Sequence, residues 1–218
     1  MALSTFQKRI LSAAIAGPAT LAIIVYGGWP FLMFIAIGAA ISLYEFFGME
    51  RLGNHVLRNM ALWSLYILLC AYAFIQLRMM LVPSGLFLVL ALMLTVWACD
   101  IGAYFTGKKI GGPKMAPAIS PNKTWAGLAG GMICSGMTLL AFDLWRNIFT
   151  APAAMIFITG FALGAVGQAG DLLISMLKRR VGVKDTGHIL PGHGGLLDRI
   201  DSLLLVTPAF MAAVMLWL

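Results

Sequence analysis

Val82 to Thr106 reads VPSGLFLVLALMLTVWACDIGAYFT, a run of bilayer length in which Asp100 is the one charged residue. A hydrocarbon core of about 30 Å takes about 20 helical residues to cross, and backbone polar groups inside it must be satisfied within the segment. The stretch therefore predicts a transmembrane helix. The whole chain has the same character, with 61% hydrophobic and 11% charged residues. Soluble domains carry about 25% charged residues, so this composition could not supply the polar surface a soluble fold needs. The fold class read from it is an all-α polytopic membrane protein.

Comparable segments lie at approximately 10–28, 30–49, 60–77, 124–144, 152–176 and 199–218, which makes seven expected spans. The first follows Lys8 and Arg9 and reads as a retained anchor, with a kink expected at Gly17-Pro18. If the amino terminus is cytoplasmic, Lys8, Arg9, Arg51, Arg58, Lys108, Lys109, Lys114, Lys123, Lys178, Arg179, Arg180, Lys184 and Arg199 share one side, and only Arg78 and Arg146 take the other. That asymmetry is what the positive-inside rule asks for. It predicts a multi-pass protein of the cell's inner (cytoplasmic) membrane, with the carboxyl terminus outside. We expect a single membrane domain over 1–218, structural in its amino-terminal spans (1–80) and chemical in 81–218.

The net charge of +7 sits in short loops between apolar runs, which suits membrane orientation and anionic head groups and argues against a nucleic-acid partner. Cys70, Cys99 and Cys134 are isolated within apolar stretches and read as small buried hydrophobes. Trp29, Trp63 and Tyr72 read as head-group anchors. Glu45 and Glu50 bracket the end of the second span near Arg51, His55 and Arg58, where a solvated cytoplasmic loop accounts for them.

Chemistry is expected where acids meet the ends of spans. Asp100 and Tyr104 are i, i+4 and should share a face directed at the bundle interior. Gly107, Gly111, Gly112, Pro113, Pro117 and Pro121 mark the next segment as a loop, and Lys108, Lys109, Lys114 and Lys123 make it a candidate anion-binding surface. Ser120, Asn122 and Lys123 stand where a helix begins, and helix amino termini favour phosphate. Four of the eight acids, Asp171, Asp185, Asp198 and Asp201, fall in GDLLISMLKRRVGVKDTGHILPGHGGLLDRIDS from Gly170 to Ser202. Asp171, Ser175 and Lys178 follow i, i+4, i+7 spacing on one helical face. Asp198 and Asp201 are i, i+3, and two carboxylates so placed repel unless a cation or basic neighbours compensate. Oxygen ligands of this kind suit Mg²⁺, which is typically shared with substrate phosphates. Gly194 and Gly195 would let backbone approach a phosphate, and His193 would hydrogen-bond one or act as a base. Composition and spacing thus point to an anionic, phosphate-bearing substrate met at the membrane surface, with phosphoryl or nucleotidyl transfer as the chemistry.

SMLKRRVGVKDTGHILPGHGGLLDRID, Ser175 to Asp201, resembles the signature of the phosphatidate cytidylyltransferase (CDP-diacylglycerol synthase) family, and CDIGAYFTGKKIGG and ISPNKTWAGLAGG are similar to its upstream motifs. The similarity covers roughly residues 95 to 218. It implies transfer of CMP from CTP to phosphatidate, giving CDP-diacylglycerol and pyrophosphate, with Mg²⁺ alone or with a second cation. It further implies a homodimer among membrane lipids. Asp171, Asp198 and Asp201 would ligate metal, joined by Asp100 and Asp185. Lys178, Arg179, Lys184 and Arg199 would neutralise phosphate charge, while Tyr104, Ser120, Asn122, Lys123, Ser175, His193, Gly194 and Gly195 would contact substrate. Ala126 and Ile174 stand where the family commonly has Glu. Two rival readings are an archaeal-type enzyme transferring CMP to an ether lipid phosphate and an ion-coupled transporter.

Overall fold

The computed structural model describes residues 5–52, 56–80, 84–189 and 194–217, with side chains described from residue 14 onward except at 50–52 and 56–59. Seven helices appear among these residues: α1 (Thr5–Tyr26), α2 (Gly28–Leu52), α3 (Val56–Met79), α4 (Gly85–Ile110), α5 (Trp125–Arg146), α6 (Ala153–Arg180) and α7 (Leu197–Trp217). Between α4 and α5 stand two short strands, β1 (Lys114–Ala116) and β2 (Ser120–Thr124). Six stretches within these helices, in α2 to α7, are long and apolar enough to cross a membrane, and α1 carries the shorter apolar stretch Ala14–Tyr26. The protein is an all-α polytopic membrane protein, as its composition requires. The helices overrun several expected ends. α4 continues through Lys108 and Lys109, and α6 through Lys178, Arg179 and Arg180. Cations in a last turn complement the negative end of the helix dipole, so extension there is favourable.

The chain forms two compact units. One comprises Met1–Ile75 with Leu177–Ile200, the other Gln76–Met176 with Asp201–Leu218. The first border lies near the division expected at residue 80, but Leu177–Ile200, which holds most of the charged signature, groups with the amino-terminal helices.

In the first unit, the reversal from α1 to α2 turns on Gly27 (φ 71°) and Gly28 (φ 56°), a left-handed pair that side chains would strain. Pro30 then sits in the first turn of α2, where its missing N–H costs nothing. Ile24, Phe31, Phe46, Ile67 and Phe74 are buried, with Phe31 stacked on Phe74 at 6.0 Å and Phe46 against Trp63 at 5.7 Å. Trp63, expected as a head-group anchor, is thus part of the ring cluster of this unit. Each such side chain removed from water or lipid head groups contributes through close packing as well as area.

In the second unit, α4 and α5 pack at backbone distance. A Cβ at Gly102 would stand 2.6 Å from Cys134 Sγ, and one at Gly131 would stand 2.8 Å from the Cys99 carbonyl oxygen. Small residues at membrane helix contacts permit this approach, which dispersion then stabilises. The expected Gly- and Pro-rich loop is a two-stranded antiparallel ribbon pairing Lys114 with Thr124 and Ala116 with Ser120. Gly111, Gly112 and Pro113 before it, Pro117 between its strands and Pro121 within β2 mask so short a strand signal in the sequence. Thr124 closes the ribbon and opens α5, its Oγ1 accepting from Gly127 N at 3.0 Å.

Candidate active site

Charged side chains gather in each unit. In the second, Lys123 on β2 donates from Nζ to Asp171 Oδ2 at 2.7 Å and to Gln168 Oε1 at 2.7 Å, both on α6. Gln168 passes the contact on, its Nε2 donating to Asp100 Oδ1 of α4 at 3.4 Å. Ser175 Oγ donates to Asp171 Oδ1 at 3.2 Å. The i, i+4 spacing anticipates the bond from Ser175 to Asp171, but the ammonium at Asp171 is Lys123, while Lys178, expected on the same face, pairs with Asp198. Gln168 is buried and had no part in the sequence reading. Its signal was available: a lone amide within an apolar span must find partners.

Asp100 and Tyr104 depart from expectation. Asp100 is exposed and Tyr104 is 59% exposed, so the face they share is not buried. The Tyr104 ring meets Phe105 edge-on at 5.4 Å, with Lys108 Nζ at 5.7 Å from its centre. Burial of α4 falls instead on Leu88, Val89, Leu92, Val96 and Cys99. Ser120 and Asn122 belong to β2 rather than to the first turn of α5, with Asn122 exposed and Ser120 half-buried. Asp201, on α7, accepts from Ser202 N at 2.7 Å.

In the first unit, Lys178 at the end of α6 donates from Nζ to Asp198 Oδ1 at 2.6 Å. The other oxygen of Asp198 receives Thr186 N at 2.8 Å, Gly195 N at 3.1 Å and the Thr186 hydroxyl at 3.1 Å. The expected repulsion between Asp198 and Asp201 is thus met by Lys178 and backbone donors, not by Arg199, which is exposed. Gly194 has φ 84°, and a Cβ there would stand 3.1 Å from Asp198 Oδ2 and 3.4 Å from Asp185 Cβ. Its lack of a side chain is required by backbone and neighbours alike. The Gly195 N–H, expected to meet phosphate, is given to Asp198. Asp185, Lys184, Arg179 and Arg199 are exposed, and Arg179 donates to the Val183 carbonyl at 3.2 Å. His193 lies outside the described residues, as do the side chains of Glu50, Arg51, His55 and Arg58.

Glu45 corrects the solvated-loop reading most plainly. It lies within α2 at 3% exposure. Its Oε1 accepts from Leu196 N at 2.9 Å, and its Oε2 accepts from Leu197 N at 2.9 Å and from Thr186 Oγ1 at 3.0 Å. A cavity of about 490 Å³ opens beside it, lined by Tyr44, Phe47, Gly48, Gly187, His188 and Ile189.

The carboxylates differ in what they could offer a divalent cation. Asp171 holds one ammonium and one hydroxyl and keeps 29% side-chain exposure, and Asp100 accepts a single long bond. A carboxylate has about four lone-pair sites, so both retain capacity, and Mg²⁺ commonly takes one or two carboxylates with water and substrate phosphates. Asp198 has both oxygens engaged by protein donors at 4% exposure, leaving nothing for an ion without displacing one of them. Among the described residues, no three His, Cys, Asp or Glu side chains stand together as a ligand set. Asp100 and Asp171 therefore keep acceptor capacity of the kind a substrate-completed Mg²⁺ uses, whereas the oxygens of Asp198 are engaged with Lys178 and the loop.

Known proteins resemble this chain. The chain is 44% identical over 145 residues to a phosphatidate cytidylyltransferase of Bacillus subtilis, covering 66% of this chain and 53% of that protein. It is 41% identical over 131 residues to one of Rickettsia bellii (58% and 57%) and 47% identical over 125 residues to one of Staphylococcus saprophyticus (57% and 48%). The chain spans about half the length of these curated relatives. A model described as the cytidylyltransferase family matches residues 54–217, which include both charged constellations apart from Glu45. The chain belongs to the cytidylyltransferase family.

Proposed function

We propose that this chain transfers CMP from CTP to phosphatidate, forming CDP-diacylglycerol and pyrophosphate for phospholipid synthesis. The observation that carries the reading is the identity of 41% to 47% with three proteins named phosphatidate cytidylyltransferase. The paired lysines and carboxylates of each unit supply the charge such a reaction requires.

In this reaction a phosphate oxygen of phosphatidate attacks the α-phosphorus of CTP. A P–O bond forms as the bond from the α-phosphorus to the α–β bridging oxygen breaks, and its electron pair leaves with pyrophosphate. The attacking group belongs to the lipid, so no enzyme nucleophile is needed. Lys123, fixed by Asp171 and Gln168, and Lys178, fixed by Asp198, are ammonium groups whose orientation is set before substrate arrives. An ammonium has three donors: Lys178 gives one to Asp198, whereas Lys123 meets Asp171, the Gln168 amide oxygen and, at 3.5 Å, the Gln168 carbonyl, so a substrate phosphate would replace the longest of these. Preorganised cations of this kind stabilise charge that develops on transferring phosphate without reorganisation at the moment of reaction. Exposed Arg179, Lys184 and Arg199 add positive potential for collecting an anionic nucleotide. Asp100 and Asp171 would hold Mg²⁺, which when bound neutralises triphosphate charge. Asp201, in the same unit, is a further candidate for that ion's surroundings.

The reading places the chemistry at the cytoplasmic face of the inner membrane, supported by the share of Lys and Arg in loops assigned to that side. It also includes a homodimer, supported by the family resemblance and checked by light scattering in detergent. The test of function is product identification. Purified protein given Mg²⁺, CTP and phosphatidate should form CDP-diacylglycerol detectable by mass spectrometry, and an ether lipid phosphate should serve less well. No CMP transfer to any lipid phosphate would overturn the proposal.

A further inference from the structure

Glu45 lies outside the segment matched by the family model, which begins at residue 54, yet it is bonded into the signature. Its carboxylate accepts the N–H groups of Leu196, immediately before α7, and of Leu197, its first residue. These donors have no partner within their own helix, so a buried acceptor there is strongly held. The Thr186 hydroxyl stands between two acids, 3.0 Å from Glu45 Oε2 and 3.1 Å from Asp198 Oδ2. With one proton to give, it bridges them by sharing. The chain of contacts runs from Glu45 through Thr186 to Asp198 and ends on Lys178 Nζ.

The surrounding glycines fit the same arrangement. A Cβ at Gly187 would stand 2.7 Å from Glu45 Oε1, and one at Gly195 would collide with Thr186 Oγ1 and approach Glu45 Oε2 at 2.6 Å. Ordinarily the end of a Glu side chain moves aside. Here three hydrogen bonds pin it, so the two glycines are spaces that the carboxylate fills.

We propose that Glu45 is a positioning residue of the signature loop, holding α7's amino terminus and Thr186 so that Asp198 presents Lys178 to the substrate phosphates. Glu45 touches no substrate in this arrangement. The inference rests on the cytidylyltransferase reading for its kinetic consequence, but not for its structural one.

Full-length protein in detergent is compared as wild type, Glu45→Gln, Gly187→Ala, Lys178→Ala and the Glu45→Gln/Lys178→Ala double variant. Glutamine keeps one acceptor oxygen but turns an NH₂ toward a backbone N–H. Glu45→Gln should speed deuterium exchange in the peptide covering Gly194 to Ile200 by tenfold or more. It should also lower kcat by about 100-fold, the scale of an ångström of misplacement. Gly187→Ala should move both quantities in the same direction by less. Because Glu45 acts through Lys178, the double variant should be no slower than Lys178→Ala alone. Wild-type exchange at this peptide in Glu45→Gln would overturn the proposal, as would additive kinetic losses. An inactive wild type would count against the functional reading alone, and the exchange measurement would still decide the role of Glu45.

Discussion

Lys178 Nζ lies 2.6 Å from Asp198 Oδ1, with side-chain exposures of 11% and 4%, and this pair is better sealed than Lys123 with Asp171 at 15% and 29%. Two charges so buried are tolerable only together. Removing one partner leaves the other uncompensated, which in buried pairs costs about 3–5 kcal/mol, whereas removing both costs much less. Asp198→Asn and Lys178→Met should each lower the melting temperature in detergent sharply, and Lys178→Met/Asp198→Leu should recover part of the loss. Simple addition of the two single effects would show that the charges do not depend on each other.

Gln168 connects Lys123 to Asp100, accepting from one and donating to the other. Gln168→Leu keeps bulk but strips the ammonium of its amide partner inside the second unit. Stranding a buried polar group costs about 1–3 kcal/mol, and more when it is charged. We expect a lower melting temperature together with at least a tenfold loss in kcat/KM for CTP. Unchanged kinetics would remove Gln168 from the account.

Metal dependence separates the acids. Chelation of divalent cations should abolish turnover reversibly. Asp171→Asn and Asp100→Asn should raise the Mg²⁺ concentration giving half-maximal rate by about tenfold, a size common for altered metal surroundings. Asp198→Asn should reduce the maximal rate while shifting that concentration little, since its oxygens serve Lys178, Thr186 and Gly195. A large shift for Asp198→Asn and none for Asp171→Asn would reverse the assignment.

Thr124 caps α5 directly after the ribbon that carries Lys123. Thr124→Ala should cost about 1 kcal/mol of stability, while Thr124→Ser keeps the acceptor and should cost only a few tenths. Equal melting temperatures for Ala and Ser would rule out the cap.

The helical class was legible because bilayer-length apolar runs admit few other folds, and local spacing joined Asp171 to Ser175, though Lys178, grouped with them, pairs with Asp198. Spacing was silent about partners on other elements. Glu45 looked like part of a polar loop because its acceptors' partners, Leu196 and Leu197, are about 150 residues away and donate from backbone, which leaves no mark in side-chain identity. The donors to Asp198 were equally illegible, since two of the four are backbone N–H groups. The ribbon was hidden by prolines and glycines, and Asp100 with Tyr104 shared a face as predicted but not a buried one.

The central claim is that CMP moves from CTP to a lipid phosphate. It is tested most directly by supplying Mg²⁺, phosphatidate and CTP radiolabelled at either the α or the γ phosphorus. The account predicts the α label in the lipid product and the γ label in pyrophosphate, in equal amounts. Label from the γ position in lipid, or no label in lipid from either, would contradict it.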